Sequence, residues 1–253
     1  TTRKYNNAKI EMKPQINKLR RKIDLYGATQ KHNIYNQKRG ILDKRQLHRI
    51  PMGMTDLFKA TVTKEDKPLD ICLLVDESGS MGYNLMEDAR NCAIAMKEAL
   101  ADNPMINLWV YGHSADEKKA GNTEMIEYYS PSMQDRPFAM GGLKARYENR
   151  DGNAIISSAL KVNGESDNHA NKLMIVLSDG APSADLYRGH RAMEHTRKAV
   201  KYTESRGWNV IQVGFGGISK EYMSQMFTNY IHVADTNELG DKVSKIIRKV
   251  IKV

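Results

Sequence analysis

The chain has 253 residues, 40% of them apolar and 27% charged, enough to bury a substantial core as one α/β unit or as a domain with a helical arm. No apolar run approaches the roughly 18 residues needed to span a bilayer and no signal-peptide pattern opens the chain, so a cytoplasmic protein without membrane partners is expected. The formal charge of +9 is uneven: residues 1–69 carry 17 Lys/Arg against 6 Asp/Glu, and the remainder 22 against 24.

The basic character therefore belongs to residues 1–66, predicted as a helical arm ahead of a main domain over 67–253. Ile16, Leu19, Ile23 and Tyr26 recur at spacings of three and four, one face of a helix, with Lys18, Arg20, Arg21 and Lys22 around them. One reading docks this helix on the domain with its basic side in water. The others attach it to an acidic protein surface or to nucleic acid. Tyr5, Tyr26 and Tyr35 interleave the basic residues, but stacking on bases needs a fold to present the rings, so nucleic acid is the lesser reading. A start at Thr1 instead of Met suits a piece of a longer polypeptide.

Ile71 to Val75 is a continuous, branched apolar run, as a strand buried on both faces of a parallel sheet requires. It ends in Asp76-Glu77-Ser78-Gly79-Ser80. One carboxylate and two hydroxyls at alternating positions, with a glycine to turn the backbone, can converge on a small hard cation. Alone, the same run could be a turn and helix cap. Asn84 to Glu87 reads as a capping box for a helix with Leu85, Ala89, Cys92, Ala93, Met96 and Leu100 as its stripe. Cys72 and Cys92 sit among apolar neighbours and read as buried thiols of a reducing compartment.

Ile106–Tyr111 and Met125–Tyr129 are predicted as the second and third strands, with His113 to Lys119 a polar tip between them. Residues 130–150 form a long loop into Asp151, which either caps the helix Gly152–Val162 or binds metal, or does both. Lys172 to Leu177 is a second buried strand, ending in Ser178-Asp179-Gly180. After a variable loop over 181–189 come a helix to about Arg206, a strand at Asn209–Phe215, a short helix at Ser219–Met226 and a strand at Tyr230–Val233. A final helix carries Leu239, Val243, Ile246, Ile247 and Val250. The seven His, including His190 and His195, are assigned to surfaces. This alternation predicts an α/β fold: a doubly wound, mostly parallel six-stranded sheet flanked by helices, Rossmann-like, with an N-terminal helical extension.

Asp76-x-Ser78-x-Ser80, Asp151-Gly152 and Ser178-Asp179-Gly180-Ala181-Pro182 together resemble the metal-ion-dependent adhesion site of the von Willebrand factor A family over roughly residues 40–253. Asp151 stands where most relatives carry Thr. This makes the chain look like the subgroup containing the C-terminal domain of the cobalt chelatase T subunit. The resemblance implies a metal site of Asp76, Ser78, Ser80, Asp151 and Asp179 that takes Mg2+, or Mn2+ or Ca2+, and leaves a position for an acidic side chain of a partner protein. It also implies a partner of the hexameric AAA+ ATPase class. With a third carboxylate the site would bind metal more tightly and pull less on a partner's carboxylate.

Asp76-x-Ser78 also superficially resembles the haloacid-dehalogenase phosphatases, but Ser78 replaces their second Asp. No Gly-x-x-x-x-Gly-Lys-Ser/Thr loop is present for ATP. The expected function is a noncatalytic, metal-dependent protein-interaction module. The alternative is a structural or assembly component of a larger particle, with nucleic-acid contact through the arm. Oligomeric state is left open.

Overall fold

A computed structural model describes residues 1–23, 30–64, 67–115, 122–133, 136–167, 169–180 and 182–233, together with 238, 242, 245 and 246. The chain divides into one unit made of Thr1–Leu25 with Pro68–Val253 and a second made of Tyr26–Lys67.

The first unit is built on a six-stranded sheet. Its N-terminal helices are α1 (Thr2–Glu11) and α2 (Lys13–Ile23). Tyr5, Ala8 and Met12 continue into Ile16, Leu19 and Ile23 as one buried stripe, and it lies on the outer side of α3 (Gly82–Leu100). Polar contacts fix the register. Tyr5 Oη donates to Glu98 Oε1, Lys9 pairs with Glu98 at 2.6 Å and Lys97 with it at 2.9 Å. Arg20 donates to the Glu98 carbonyl at 2.6 Å and to Asp102 at 3.0 Å. Ile16, Leu19 and Ile23 thus dock the helix on its own domain, and Tyr5 is core, not a stacking platform. Tyr26 lies outside the described residues.

The second unit is not wholly helical as expected of residues 1–66: beside a 3-10 helix at Lys44–Met52 it forms a small sheet. It holds β1 (Gln30–Gln37), β2 (Ile41–Leu42) and β3 (Phe58–Lys64), antiparallel in the order β1-β3-β2. Phe58, Ala60 and Val62 alternate with Lys59, Thr61 and Thr63, the period of a strand. Gly40 has φ +130°, and a Cβ there would stand 2.5 Å from the Lys59 carbonyl oxygen, so the turn between β1 and β2 demands glycine.

The main sheet comprises β4 (Leu69–Asp76), β5 (Ile106–Ala115), β6 (Thr123–Tyr129), β7 (Asn171–Ser178), β8 (Trp208–Phe215) and β9 (Asn229–Val233). Its order is β6-β5-β4-β7-β8-β9, parallel throughout except for the antiparallel β5–β6 pair. This is the expected doubly wound fold. Chain direction along the sheet reverses at β4, with β5 on one side and β7 on the other, so the loops leaving β4 and β7 part at a crevice.

Alternation along the strands assigns the faces. Cys72 and Leu74 of β4, Trp109 and Tyr111 of β5, and Met174 and Val176 of β7 form one core with Ala154, Ile155, Ala159 and Val162 of α4 (Asp151–Glu165). Val200 of α5 (Gly189–Ser205) and Met226 of α6 (Lys220–Met226) join them. The alternate residues Ile71, Leu73 and Val75 point to the opposite face. Because α1 and α2 cover the outside of α3, that helix is buried nearly all round, which accounts for its wide apolar surface.

Three segments differ from expectation. Helix α3 begins at Gly82 with no side-chain cap, directly after a 3-10 turn at Gly79–Met81, so Asn84 lies inside the helix. Strand β5 runs to Ala115, which puts His113 and Ser114 in the sheet and not in a polar tip. The segment 130–150 contains 3-10 turns at Pro131–Met133 and Pro137–Gly142, and Met140 and Leu143 are buried. Of the last helix's stripe only Ile246 is described, and it is buried.

Candidate metal centre

Asp76 is the last residue of β4 and fully buried. Its Oδ1 accepts from the Ser78 amide at 2.8 Å. Its Oδ2 accepts from Asn149 Nδ2 at 2.8 Å and from Ser178 Oγ at 3.1 Å. Such donors hold the carboxylate in one orientation. Beyond it, Ser78 Oγ lies 2.9 Å from Ser80 Oγ, and Ser80 Oγ donates to Asp179 Oδ1 at 3.0 Å. The chain Ser78, Ser80, Asp179 thus joins the loop after β4 to the loop after β7.

Asp151 is differently placed. It is the first residue of α4, behind Arg150 at the N-cap, and so does not cap the helix. The side chain is fully buried, and neither oxygen has a hydrogen-bond partner. His113 Nε2 stands 3.7 Å from its Oδ1. Burial raises the Asp151 pKa well above the usual carboxylate range, and the charges of Asp76 and Asp179 push it further. Burial and then Asp76 also raise Asp179, against the Ser80 hydrogen bond.

Three carboxylates that resist one another's charge, at the open edge of a sheet, form an arrangement that a divalent cation relieves. The donor set fits one. Carboxylate and hydroxyl oxygens suit Mg2+, Mn2+ or Ca2+, and the unpaired oxygens of Asp151 are what such an ion would satisfy. Among the described residues, no three His, Cys, Asp or Glu side chains stand close enough to hold an ion by themselves. The hydroxyls of Ser78 and Ser80 are needed to complete the set.

Four contributors were not singled out in the sequence. Asn149 and Ser178 clamp Asp76, as above. Glu77, the variable residue of Asp-x-Ser, points inward and is fully buried. It accepts from Tyr128 Oη at 2.7 Å, the Lys144 amide at 3.0 Å and Arg146 Nε at 3.0 Å. Its backbone carbonyl accepts from Arg146 N at 2.6 Å, and Gly79 N donates to the Tyr147 carbonyl at 2.6 Å. Glu77 therefore laces segment 143–147 to the first loop. The fourth is His113, which pairs in register with Asp76 and is fully buried. Burial lowers its pKa, against the nearby charge of Asp76.

His195, assigned to the surface, is half-buried, with Nδ1 2.8 Å from Tyr187 Oη. A Cβ on Gly152 would come within 2.4 Å of that nitrogen, which is why the helix start beside Asp151 is glycine. His190 is exposed, as expected.

A sequence profile for the von Willebrand factor type A domain matches residues 70–245. No curated protein matches the chain. Among solved structures, the pilus adhesin SpaC of Lactobacillus rhamnosus GG is similar at 16% identity and TM-score 0.57, over 75% of this chain and 30% of the adhesin. The chain thus spans under a third of that protein's length. The vWF domain of the type V pili tip protein Mfa5 of Porphyromonas gingivalis is similar at 10% identity and TM-score 0.53, over 74% of this chain and 97% of that domain. A von Willebrand factor type A protein of Catenulispora acidiphila is similar at 14% identity and TM-score 0.51, over 89% of this chain and 50% of that one. At these identities the likeness is one of fold.

Proposed function

The chain belongs to the von Willebrand factor type A family, and from that premise we propose that it is a noncatalytic protein-interaction module whose partner binding depends on a divalent cation. The observation that carries this reading is Asp151: a buried carboxylate with no hydrogen bond, set beside Asp76 and Asp179 where the hydroxyls of Ser78 and Ser80 converge. Asp76, Ser78, Ser80, Asp151 and Asp179 would hold the ion. When bound, it supplies a positive Lewis-acidic centre able to attract an acidic side chain of a partner. The protein's own work is positional. Asn149 and Ser178 orient Asp76, Glu77 pins the 143–147 segment, and Ser80 ties the two loops together.

Two further observations favour a noncatalytic role. The Cys72 thiol is pushed up to about 12 by burial, and that of Cys92 is also raised, so neither is a ready nucleophile. His195 is engaged by Tyr187. The Asp151-Gly152 and Ser178-Asp179-Gly180 motifs favour the cobalt chelatase T-subunit type, hence an AAA+ ATPase as partner. Among the described residues, no helix is long and apolar enough to cross a membrane.

A second reading is an assembly component of a larger particle. It is favoured by the second unit, where Ile34, Ile41, Ile50 and Met52 are exposed, Met52 by 71%.

Calorimetric titration of Mg2+, Mn2+ and Ca2+ into chelator-treated protein, beside Asp76→Ala, tests the first reading, together with capture of an AAA+ ATPase with and without chelator. Ion binding lost in the variant and capture only with the ion are expected. No binding to the wild type would sink the metal reading, and a chelator-insensitive homo-oligomer in light scattering would favour the second.

A further inference from the structure

Resting on that reading, we infer that His113 is an additional ligand of the ion, and that its imidazole shifts the site's preference from Mg2+ toward a transition divalent cation such as Mn2+. The position follows from the sheet. Parallel pairing sets Cys72 beside Trp109, Leu74 beside Tyr111 and Asp76 beside His113, so the imidazole belongs to the same face as the Asp76 carboxylate. That is also the face on which α4 begins with Asp151.

His113 is fully buried, and neither ring nitrogen has a hydrogen-bond partner. Buried imidazoles that serve structure donate or accept at one nitrogen at least. Instead, Nε2 faces Asp151 Oδ1 at 3.7 Å. This is too long for a hydrogen bond, and a few tenths of an ångström beyond the roughly 3.0–3.5 Å between neighbouring ligands of an ion bonded at about 2.1 Å. Two adjacent buried groups, each with unused lone pairs, share one unmet need. Among the described residues no three His, Cys, Asp or Glu side chains are close enough to hold an ion as they stand, so binding requires the Asp151 carboxylate, whose oxygens are unbonded, to turn toward a common ion.

The chemistry then sets the choice of ion. Mg2+ takes oxygen ligands and keeps its waters, whereas imidazole nitrogen suits first-row transition ions. The oxygen donors of the two loops alone would make a hard site. An imidazole contributed by the neighbouring strand softens it.

The test loads Mn2+ into the chelator-treated full chain and records the electron spin echo envelope, which reports nitrogen bonded to the ion, alongside calorimetric competition between Mn2+ and Mg2+. Nitrogen modulation is expected in the wild type. His113→Asn should remove it and lower the Mn2+ over Mg2+ preference by about tenfold. Bound Mn2+ without nitrogen modulation overturns the inference and leaves the metal-dependent reading standing. So does modulation that persists in a folded His113→Asn. Failure of both ions to bind overturns both. The wild-type spectrum decides the question even if His113→Asn does not fold.

Discussion

Ser80 and Asp179, 99 residues apart in sequence, meet through a 3.0 Å hydrogen bond in which the serine hydroxyl donates to the carboxylate. The bond spans the ends of two adjacent parallel strands, so the loop after β4 and the loop after β7 move as one. Ser80→Ala removes the hydroxyl without burying a new charge. It is expected to weaken ion binding about tenfold or more while leaving the melting temperature of the ion-free protein within a degree or two, since Ser80 is exposed. Calorimetry and thermal melts on the same samples check this.

Asp151→Thr gives the residue that the resemblance to the adhesion site leads one to expect at this position. In the ion-free chain it removes an unpaired buried carboxylate, so stability should rise by on the order of 1–3 kcal/mol. Ion affinity should fall, and partner binding should become more sensitive to removal of an acidic residue on the partner. Urea titration reads the first effect. A partner whose Glu and Asp substitutions matter equally in wild type and variant would refute the last.

The pH dependence of the ion-free protein follows from the same acids. Asp151 and Asp179 have folded-state pKa values raised above their unfolded ones. Between the two values the folded state holds more protons than the unfolded, so stability falls as pH rises through that window. The contribution of these two acids to the stability of the ion-free chain should therefore fall as pH rises above the ordinary carboxylate range, whereas buried His113, whose pKa is lowered, works in the opposite sense near neutrality. A saturating ion, which favours the ionised carboxylates, should shrink or invert that fall. A melt series with and without chelator reads both.

Glu98 behaves in the opposite sense. Burial pushes its pKa up, but Lys9, Tyr5 and Lys97 outweigh that and hold it at about 2. Its contribution is complete above the ordinary carboxylate value and is lost as pH falls toward about 2. Glu98→Ala should cost about 1–2 kcal/mol, reduced by solvent at the edge of the contact. It should also open residues 1–23 to protease before the sheet, a difference that limited proteolysis followed by mass spectrometry resolves.

Gly112→Ala tests the brace behind the site. A Cβ there would stand 2.6 Å from Glu77 Oε2 and 2.7 Å from the Tyr128 ring. Overpacking of about 1–3 kcal/mol is expected, with weaker ion binding because Glu77 can no longer hold the 143–147 segment. Unchanged affinity in a destabilised variant would separate the brace from the site.

The sheet was legible in the sequence because its central strands are unbroken apolar runs and each ends at a recognisable turn. Asp76, Ser78, Ser80 and Asp179 were legible for the same reason: they follow such runs immediately. His113 was not. Strand β5 ends in Gly-His-Ser-Ala, which carries no apolar period, and its burial depends on Ala115 bridging Glu148, a pairing 33 residues away. The unpaired state of Asp151 was equally hidden, since spacing cannot tell a helix cap from a first-turn residue. The second unit was missed because Gln30–Gln37 is mostly polar and only β3 alternates. Helix α1 lies within the predicted helical arm but was not resolved as a separate element, because Tyr5, Ala8 and Met12 make a stripe too sparse to stand out among lysines.

Helices α1 and α2 belong to the sheet unit although Tyr26–Lys67 separates them from it in the chain. During synthesis they leave the ribosome before the sheet, and Glu98 and the outer surface of α3 appear only after a further 75 residues or so have been made. Until then their apolar stripe has nothing to cover. The basic residues around Leu19 and Ile23 supply a solvated, like-charged coat for that interval, and the second unit can fold while the two ends of the first still wait for each other.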